Sequence, residues 1–491
     1  MSHSTRHKRR RSRSNDRFDT QMIANGVLLI LFALLAGIAS YTMYAHNILA
    51  FRHVNVIYTA VLVVVFLVCL LLTLFKKGKH LVTVLLVLFS IVVGVSLFAF
   101  KSLVDVAGNI NKTASYSEIE MKVVVPANSS ISDVSELTNV QAPTSADESN
   151  INALIANIKS EKGVELTVDP VDSYQSAYEN LINGNSQAMV LNSSYSSLLE
   201  LSYNDYESNL KTIYTYKIKK AIEDTAKTTD KNVFNIYISG IDTSGAVSTV
   251  SRSDVNLILT VNMNTHKILM TTTPRDSYVR IPDGGADQYD KLTHAGIYGI
   301  ETSVKTLENL YDIPINYYAR LNFTSFVKLI NALGGVTVYN DQAFTSLYGN
   351  YNFGVGNINL TSGEEALGFV RERYSLEHGD YDRGNNQLKV IQAIVEKLTS
   401  FQSVSNYSDV ISTLQDSIQT NMPLNTMMSL VNEQLDSGKT FIFSSQEVTG
   451  TGSTGQLTSY AMPNASLYMI QLDDASVAKA SQAIKNVMEG K

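Results

Sequence analysis

The sequence predicts a membrane-anchored α/β protein: three transmembrane helices, a small α/β domain, then a larger α/β domain. Three observations predict it. Near the N-terminus stand three runs of about 20 residues without a charged side chain, the length needed to cross ~30 Å of hydrocarbon. Strand and helix patterns alternate through residues 111–218. From Asn232 onward the same alternation returns with sharper periodicity. At about 150 residues per domain, the 491 residues suggest about three structural units. Lys and Arg number 39 against 45 Asp and Glu, so the formal charge of −6 argues against a chain that coats nucleic acid. The single cysteine, Cys69, excludes an intrachain disulfide framework and a Cys-based metal site.

Residues 1–20 form a basic tail with seven Lys/Arg. The apolar runs are Met22–Ala45, Asn55–Phe75 and Leu81–Phe100. A cleaved signal peptide would show one shorter apolar core and a small-residue cleavage site, so none is expected. The first loop carries only Arg52, the second Lys76, Lys77 and Lys79. The positive-inside rule then places tail and second loop in the cytoplasm and everything after Phe100 outside.

In the first outer segment the expected strands are Ile119–Val125, Val164–Val168, Ala188–Leu191 and Thr212–Ile218. Helices are expected at Asn150–Lys159, Tyr174–Ile182 and a Ser/Leu-rich stretch between the last two strands. No titratable cluster converges there, so an accessory or spacer role is expected. A polar linker, Lys219–Lys231, leads to the second domain, 232–490. Val233–Ser239 reads as a strand that runs into Asp242. Asn256–Asn262 and Lys267–Thr273 read as a hairpin about Asn264. Ile300–Tyr311 and Phe323–Leu333 carry helical apolar stripes, the second stopped by Gly334-Gly335. Val336–Tyr339 is a further strand. Thr361–Glu364 and Ser362–Glu365 both fit a capping box opening a helix, and Leu388–Leu398 is a regular helix.

Charged residues in this domain share positions. Asp254 opens one hairpin arm and Arg275 follows the other, so antiparallel pairing brings them to one end of the sheet. Asp242 joins them if its strand runs parallel to the second arm, and strand ends are where open α/β sheets bind ligands. Arg371 and Arg373, two apart, share a face only on extended chain, so the helix from Gly363 should end near Val370. Several arginines beside two aspartates suit a phosphate ester with a divalent cation. Arg252, Arg280, Asp382, Arg383 and Gln387 extend the set, with Lys305 and His294 as further candidates. No serine elbow, zinc-type His pair or phosphate-binding Gly-Lys loop is present.

These motifs run in order: Gly240-Ile241-Asp242, Ser251-Arg252-Ser253-Asp254, Thr273-Pro274-Arg275-Asp276-Ser277, Thr293-His294-Ala295 and Asn322-Phe323. They continue through Leu333-Gly334-Gly335-Val336, Gly363-Glu364-Glu365-Ala366-Leu367, Val370-Arg371-Glu372-Arg373 and Asp382-Arg383-Gly384-Asn385-Asn386-Gln387. Over roughly Asn232–Ser400 they resemble the LytR-CpsA-Psr family of envelope phosphotransferases. Three spans and an extra domain resemble the capsule-associated streptococcal branch of that family.

The resemblance implies an αβα sandwich with a mixed sheet. It implies transfer of a capsular glycopolymer phosphate from an undecaprenyl-pyrophosphate carrier to a peptidoglycan hydroxyl outside the membrane. Asp242 and Asp254 match the acidic pair that holds Mg²⁺ (or Mn²⁺). Arg275, Arg371, Arg373, Arg383 and Gln387 match the pyrophosphate-binding set, and Arg252, Arg280 and Lys305 are further candidates for it. Asp254, Arg275, Arg371 and Arg373 are the expected catalytic residues, with Asp254 favoured to accept the acceptor proton. Many members have an arginine directly before the glutamine, where this chain has Asn386. The Val304–Tyr311 and Phe323–Leu333 stripes could line a channel for the lipid tail. Expected partners are the lipid-linked polysaccharide, peptidoglycan, the membrane and other capsule-assembly proteins, with no specific nucleic acid. A different class of function would be a non-catalytic sensor or scaffold that binds the same lipid and regulates assembly.

Overall fold

The computed structural model describes residues 20–222, 232–241, 246–401, 404–414 and 417–491. The chain forms two compact units, the first ending at Ser102 and the second running Leu103–Lys491. The helices α1 (Thr20–Ala45), α2 (Val54–Leu74) and α3 (Lys79–Ala114) are each long and apolar enough to cross a membrane; the first two and the part of α3 up to Ser102 belong to the first unit. Leu29, Phe32, Leu62, Cys69, Leu86 and Val93 pack between them. Leu34, Val64 and Ile91 face outward and are exposed, as hydrocarbon contact requires. The helix α3 does not stop at Phe100 but continues to Ala114.

The second unit contains two main sheets. The first is built from β1 (Tyr116–Pro126), β2 (Asn139–Ala142), β3 (Thr167–Pro170), β4 (Met189–Asn192) and β5 (Leu210–Ala221), in the order β3-β2-β4-β1-β5. Its helices are α4 (Thr144–Lys162), α5 (Tyr174–Ile182) and α6 (Ser196–Ser202). The short strand β2 is not expected from the sequence, because four residues give too little alternation to register. The sheet is not insulated from the rest of the unit: Tyr178, Leu191 and Leu198 share one core with Ile297, Met462 and Met469.

The second sheet is assembled from β6 (Val233–Ile241), β7 (Ser253–Asn262) and β8 (Lys267–Thr272) with three strands from farther along the chain. After β8 come a small hairpin, β9 (Tyr278–Ile281) and β10 (Gln288–Lys291), then α7 (Ile300–Tyr311), β11 (Tyr317–Leu321) and α8 (Phe323–Leu333). Next is a lobe of β12 (Val336–Asn340), β13 (Phe344–Thr345), β14 (Asn352–Phe353), β15 (Gly356–Leu360) and α9 (Gly363–Arg371). The chain closes with α10 (Asp380–Thr399), α11 (Val404–Leu414), β16 (Ile418–Thr420), α12 (Leu424–Ser437), β17 (Ile442–Glu447), β18 (Gly450–Thr454), β19 (Tyr468–Leu472) and α13 (Asp474–Met488). The sheet order is β16-β11-β6-β7-β8-β17. Pairs β6/β11 and β8/β17 are parallel and the rest antiparallel, so the sheet is mixed.

Alternation along β7 makes this an αβα sandwich. Ile258 points to the layer holding Val304, Leu307 and Tyr311 of α7 and Ile484 of α13. Its neighbours Leu257 and Leu259 point the other way, to Leu388 and Ile391 of α10 and Met427 of α12. The α7 stripe is therefore core rather than a channel wall. Most of the α8 stripe likewise packs into the core of the lobe after it, with Ile330 and Leu333 buried and Phe326 and Val327 half-buried.

Candidate functional site

The hairpin about Asn264 determines where the site lies. Its register pairs Leu257 with Thr272, so Asp254 precedes that pair by three residues while Arg275 follows it by three. Arg275 Nη1 meets Asp254 Oδ2 at 3.1 Å. Because β6 and β8 both run antiparallel to β7, they are parallel to each other, and β6 ends at Ile241 opposite Ser253. Asp242, next along the chain, lies outside the described residues.

The Asp254 carboxyl feels two opposed effects. Burial alone would raise its pKa, but the positive charges of Arg275, Arg252 and Arg383, with a hydrogen bond from Thr293, outweigh it. The carboxyl is held below its usual range and stays ionised. Thr293 Oγ1 donates to Asp254 Oδ1 at 3.1 Å, while the Thr293 amide donates to the Arg275 carbonyl at 2.9 Å. The 3-10 segment Leu292–Tyr298 thus ties both arms of the site together.

Beside this pair opens a cavity of about 720 Å³, lined by Asp254, Arg275, Lys291, Arg373, Arg383 and Gln387, among others. The volume suits a small-molecule site. Lys291 Nζ reaches Asp276 Oδ1 at 2.6 Å. Arg383 and Gln387 occupy neighbouring turns of α10, and Gln387 donates to the Val370 carbonyl at 3.3 Å. Asp382 fixes the turn before them, accepting from the His378 amide at 2.9 Å and from Gln342 at 2.8 Å. Leu201, Leu467, Tyr468 and Ile470 give the cavity an apolar side. Leu201 comes from α6, so the first sheet's own elements complete the wall.

Of the Arg371–Arg373 pair, only Arg373 lines the cavity. The helix α9 runs one residue farther than the sequence indicates and ends on Arg371 itself. As its last helical residue, Arg371 lays its guanidinium over the rings of Phe323 and Tyr348, at 4.3 and 5.2 Å. The residue between them has a structural role. Glu372 is 3% exposed, and its carboxylate accepts the amides of Arg373, Tyr374, Ser375 and Leu347 at 2.6–3.0 Å. Burial would raise this carboxyl, but those amides hold it below the usual value of 4.5. Its contribution is full above that value and fades as pH falls through the lower folded value. Glu372→Ala is expected to cost about 2 kcal/mol by stranding buried amides. Denaturation at several pH values should show this deficit largest near neutrality and narrowing below pH 4.5.

Other expected residues lie elsewhere. Arg252 is 6% exposed and acts on Asp254 through its charge, but does not line the cavity. Arg280 is exposed and pairs with Asp287 at 3.7 Å, because β9 and β10 pair beyond the sheet end. Lys305 pairs with Asp283 at 2.9 Å on a separate cavity of about 500 Å³. His294 is fully buried, with Nδ1 2.8 Å from Asp290. Asp290 also accepts from Ser459 at 2.7 Å and the Ala461 amide at 2.8 Å, a structural clamp. Asn386 is buried and outside the cavity lining, so the missing arginine is not a gap in its wall.

Two structural features support the strand end. Arg320, 2% exposed on β11, donates to the carbonyls of Val247 at 3.1 Å and Thr249 at 2.9 Å. Burial lowers its pKa to about 10, and it remains charged. Glu118 of β1 exchanges backbone bonds with Ser248 and Val250 at 2.9 and 3.0 Å. The segment leading to Asp254 is thereby anchored from both sheets.

Comparison with known proteins places this geometry in a lineage. The model of the LytR_cpsA_psr family matches residues 200–476, more than half the chain. A DNA polymerase processivity factor model matches residues 76–191, which begin just before α3 and stop within β4. That range cuts the first sheet and leaves out β5. A curated relative, the polyisoprenyl-teichoic acid–peptidoglycan teichoic acid transferase TagU of Enterococcus faecalis, is 33% identical over 282 residues, 56% of this chain and 87% of that protein. The protein of the same name from Oceanobacillus iheyensis is 35% identical over 46% of this chain and 69% of its own length. The crystal structure of B. subtilis TagU is 29% identical, with a TM-score of 0.41, over 53% of this chain and 98% of that one. With its family match spanning both the strand-end cavity and the sheet that builds it, the chain belongs to the LytR-CpsA-Psr family.

Proposed function

We propose that this protein is a membrane-anchored, extracytoplasmic transferase. It moves a glycopolymer, as its sugar phosphate, from a polyprenyl-pyrophosphate carrier to a hydroxyl of peptidoglycan. The observation that carries this reading is the convergence of Arg275, Lys291, Arg373 and Arg383 on one cavity with an apolar side. Four cationic groups suit a pyrophosphate, and Leu201, Leu467, Tyr468 and Ile470 suit the first isoprenoid units of its tail. Relatives named as transferases of polyisoprenyl-linked teichoic acid to peptidoglycan support the same chemistry. The basic second loop and tail support placing the cavity outside the membrane. A capsular polymer as donor is supported by the three apolar helices and the extra sheet before the strand-end cavity, an arrangement like that of the capsule-associated branch.

Phosphoryl transfer asks a protein for positioning and charge stabilisation more than for covalent chemistry. Arg275 and Arg373 would hold the pyrophosphate oxygens, and Arg383 would take charge building on the departing lipid phosphate. The ionised, part-exposed carboxylate of Asp254 fits a hard divalent cation, with Asp242 as the second expected ligand. Mg²⁺ held there would neutralise phosphate oxygens. Purified protein in nanodiscs, given Mg²⁺, lipid-pyrophosphate-linked capsular polymer and peptidoglycan fragments, is expected to yield a sugar phosphodiester and free polyprenyl phosphate. With lipid-pyrophosphate-linked wall teichoic acid run in parallel, both carriers intact after prolonged incubation contradict the transferase reading; wall teichoic acid moving while the capsular donor stays intact contradicts the capsular one.

A further inference from the structure

The proposed transfer must remove a proton from the acceptor hydroxyl, and the chemistry of Asp254 is poorly suited to that. Its carboxylate already accepts Thr293, pairs with Arg275 and lies in the field of Arg252 and Arg383. A base stabilised so strongly in its ionised form has little affinity for a proton.

A second carboxylate on the same cavity is in the opposite circumstance. Glu447 ends β17, which runs parallel to β8 and pairs Glu447 with Thr272. It therefore stands at the strand end that leads directly into Arg275. Its side chain is half-buried and lines the cavity. On the α10 side, a Cβ built on Gly384, the residue after Arg383, would lie 4.0 Å from Glu447 Oε1. Arg275, Lys291, Arg373 and Arg383 line the same cavity, yet among the described residues none bonds or ion-pairs to the Glu447 carboxylate. No cap, turn or salt bridge among them uses it. Such a group costs stability to bury and contributes nothing obvious to the fold.

We propose that Glu447 is the general base of the transfer, a catalytic residue that touches the acceptor hydroxyl; the assignment rests on the transferase reading. As the acceptor oxygen bonds to the glycan-bearing phosphorus, its proton passes to a Glu447 carboxylate oxygen. The bond from that phosphorus to the bridging oxygen breaks, and its electron pair leaves with the polyprenyl phosphate. Glu447 then returns the proton to solvent. Burial raises its carboxyl above the ordinary 4.5, towards the range in which a carboxylate is an effective base.

The test uses the full chain in nanodiscs with the same donor and acceptor. Glu447→Gln keeps the shape and removes the base. It is expected to lower kcat by roughly 10²–10⁴-fold, while affinity for geranylgeranyl pyrophosphate, the binding probe, stays within about twofold. In Glu447→Ala, added formate should restore part of the rate, and it should do nothing for Asp254→Asn. A Glu447→Gln protein that transfers at the wild-type rate overturns the assignment, as does a rate loss matched by an equal loss of probe affinity. If wild-type protein yields no product, the transferase reading itself falls and this assignment with it.

Discussion

Arg275→Ala is expected to lower transfer by about 10³-fold, the largest effect of removing any one of the cavity's cations. Two losses combine. The guanidinium is the cavity cation at the end of β8, and removing one preorganised donor from a site of developing charge costs about 10²–10³-fold. The same group is the strongest of the positive charges acting on Asp254. Without it, burial raises the Asp254 carboxyl with less to oppose it, and the expected cation ligand is weakened too. Because the pair is still 18% and 24% exposed, the fold should survive. Circular dichroism and melting close to wild type, with product formation near background, is the expected pair of results. Activity within tenfold of wild type would place the transferred phosphate elsewhere.

Gly296→Ala should severely damage the site's architecture. A Cβ at 296 would stand 2.5 Å from the Ser251 carbonyl oxygen, 2.7 Å from the Ser253 amide nitrogen and 3.0 Å from the Arg252 carbonyl carbon. All three are backbone atoms, so no side chain can swing aside. The Leu292–Tyr298 segment must lift from the strand that presents Asp254, and its hydrogen bonds to Asp254 and Arg275 lengthen. Overpacking of this kind costs typically 1–3 kcal/mol, and here about 3 or more is expected because the contact is with backbone. Thermal unfolding and probe affinity should fall together. Retained melting temperature with unchanged affinity would mean that the two segments are not in contact.

Much of this site is legible in the sequence where local pattern and chain direction suffice. The hairpin about Asn264 follows from two apolar runs, and it alone brings Asp254 to Arg275. Parallel β6 and β8 then put Ile241, and so the start of Gly240-Ile241-Asp242, at the same edge. The Arg371–Arg373 spacing misleads by one helical residue: because α9 ends on Arg371, one guanidinium covers aromatic rings and the other faces the cavity. Lys291 and Glu447 carry no local signal at all. Lys291 follows Asp290 at the end of a four-residue strand and Glu447 is a lone charge in a polar stretch; both are delivered by long-range pairing, Lys291 against Tyr278 and Glu447 against Thr272. The apolar stripe of α7 shows the converse limit, since a regular stripe is what core packing and channel lining have in common. Leu201 and Leu467, from segments with no such stripe, form the apolar side instead.

Affinity for geranylgeranyl pyrophosphate, measured on the full chain in nanodiscs for a panel of arginine and lysine variants, tests most directly whether the strand-end cavity is the anion site. Arg275→Ala, Arg373→Ala and Arg383→Ala should each weaken binding tenfold or more, while Arg280→Ala and Lys305→Ala, whose side chains pair away from the cavity, should stay within twofold. Uniform small losses across all five, or full affinity in the first three, would contradict it.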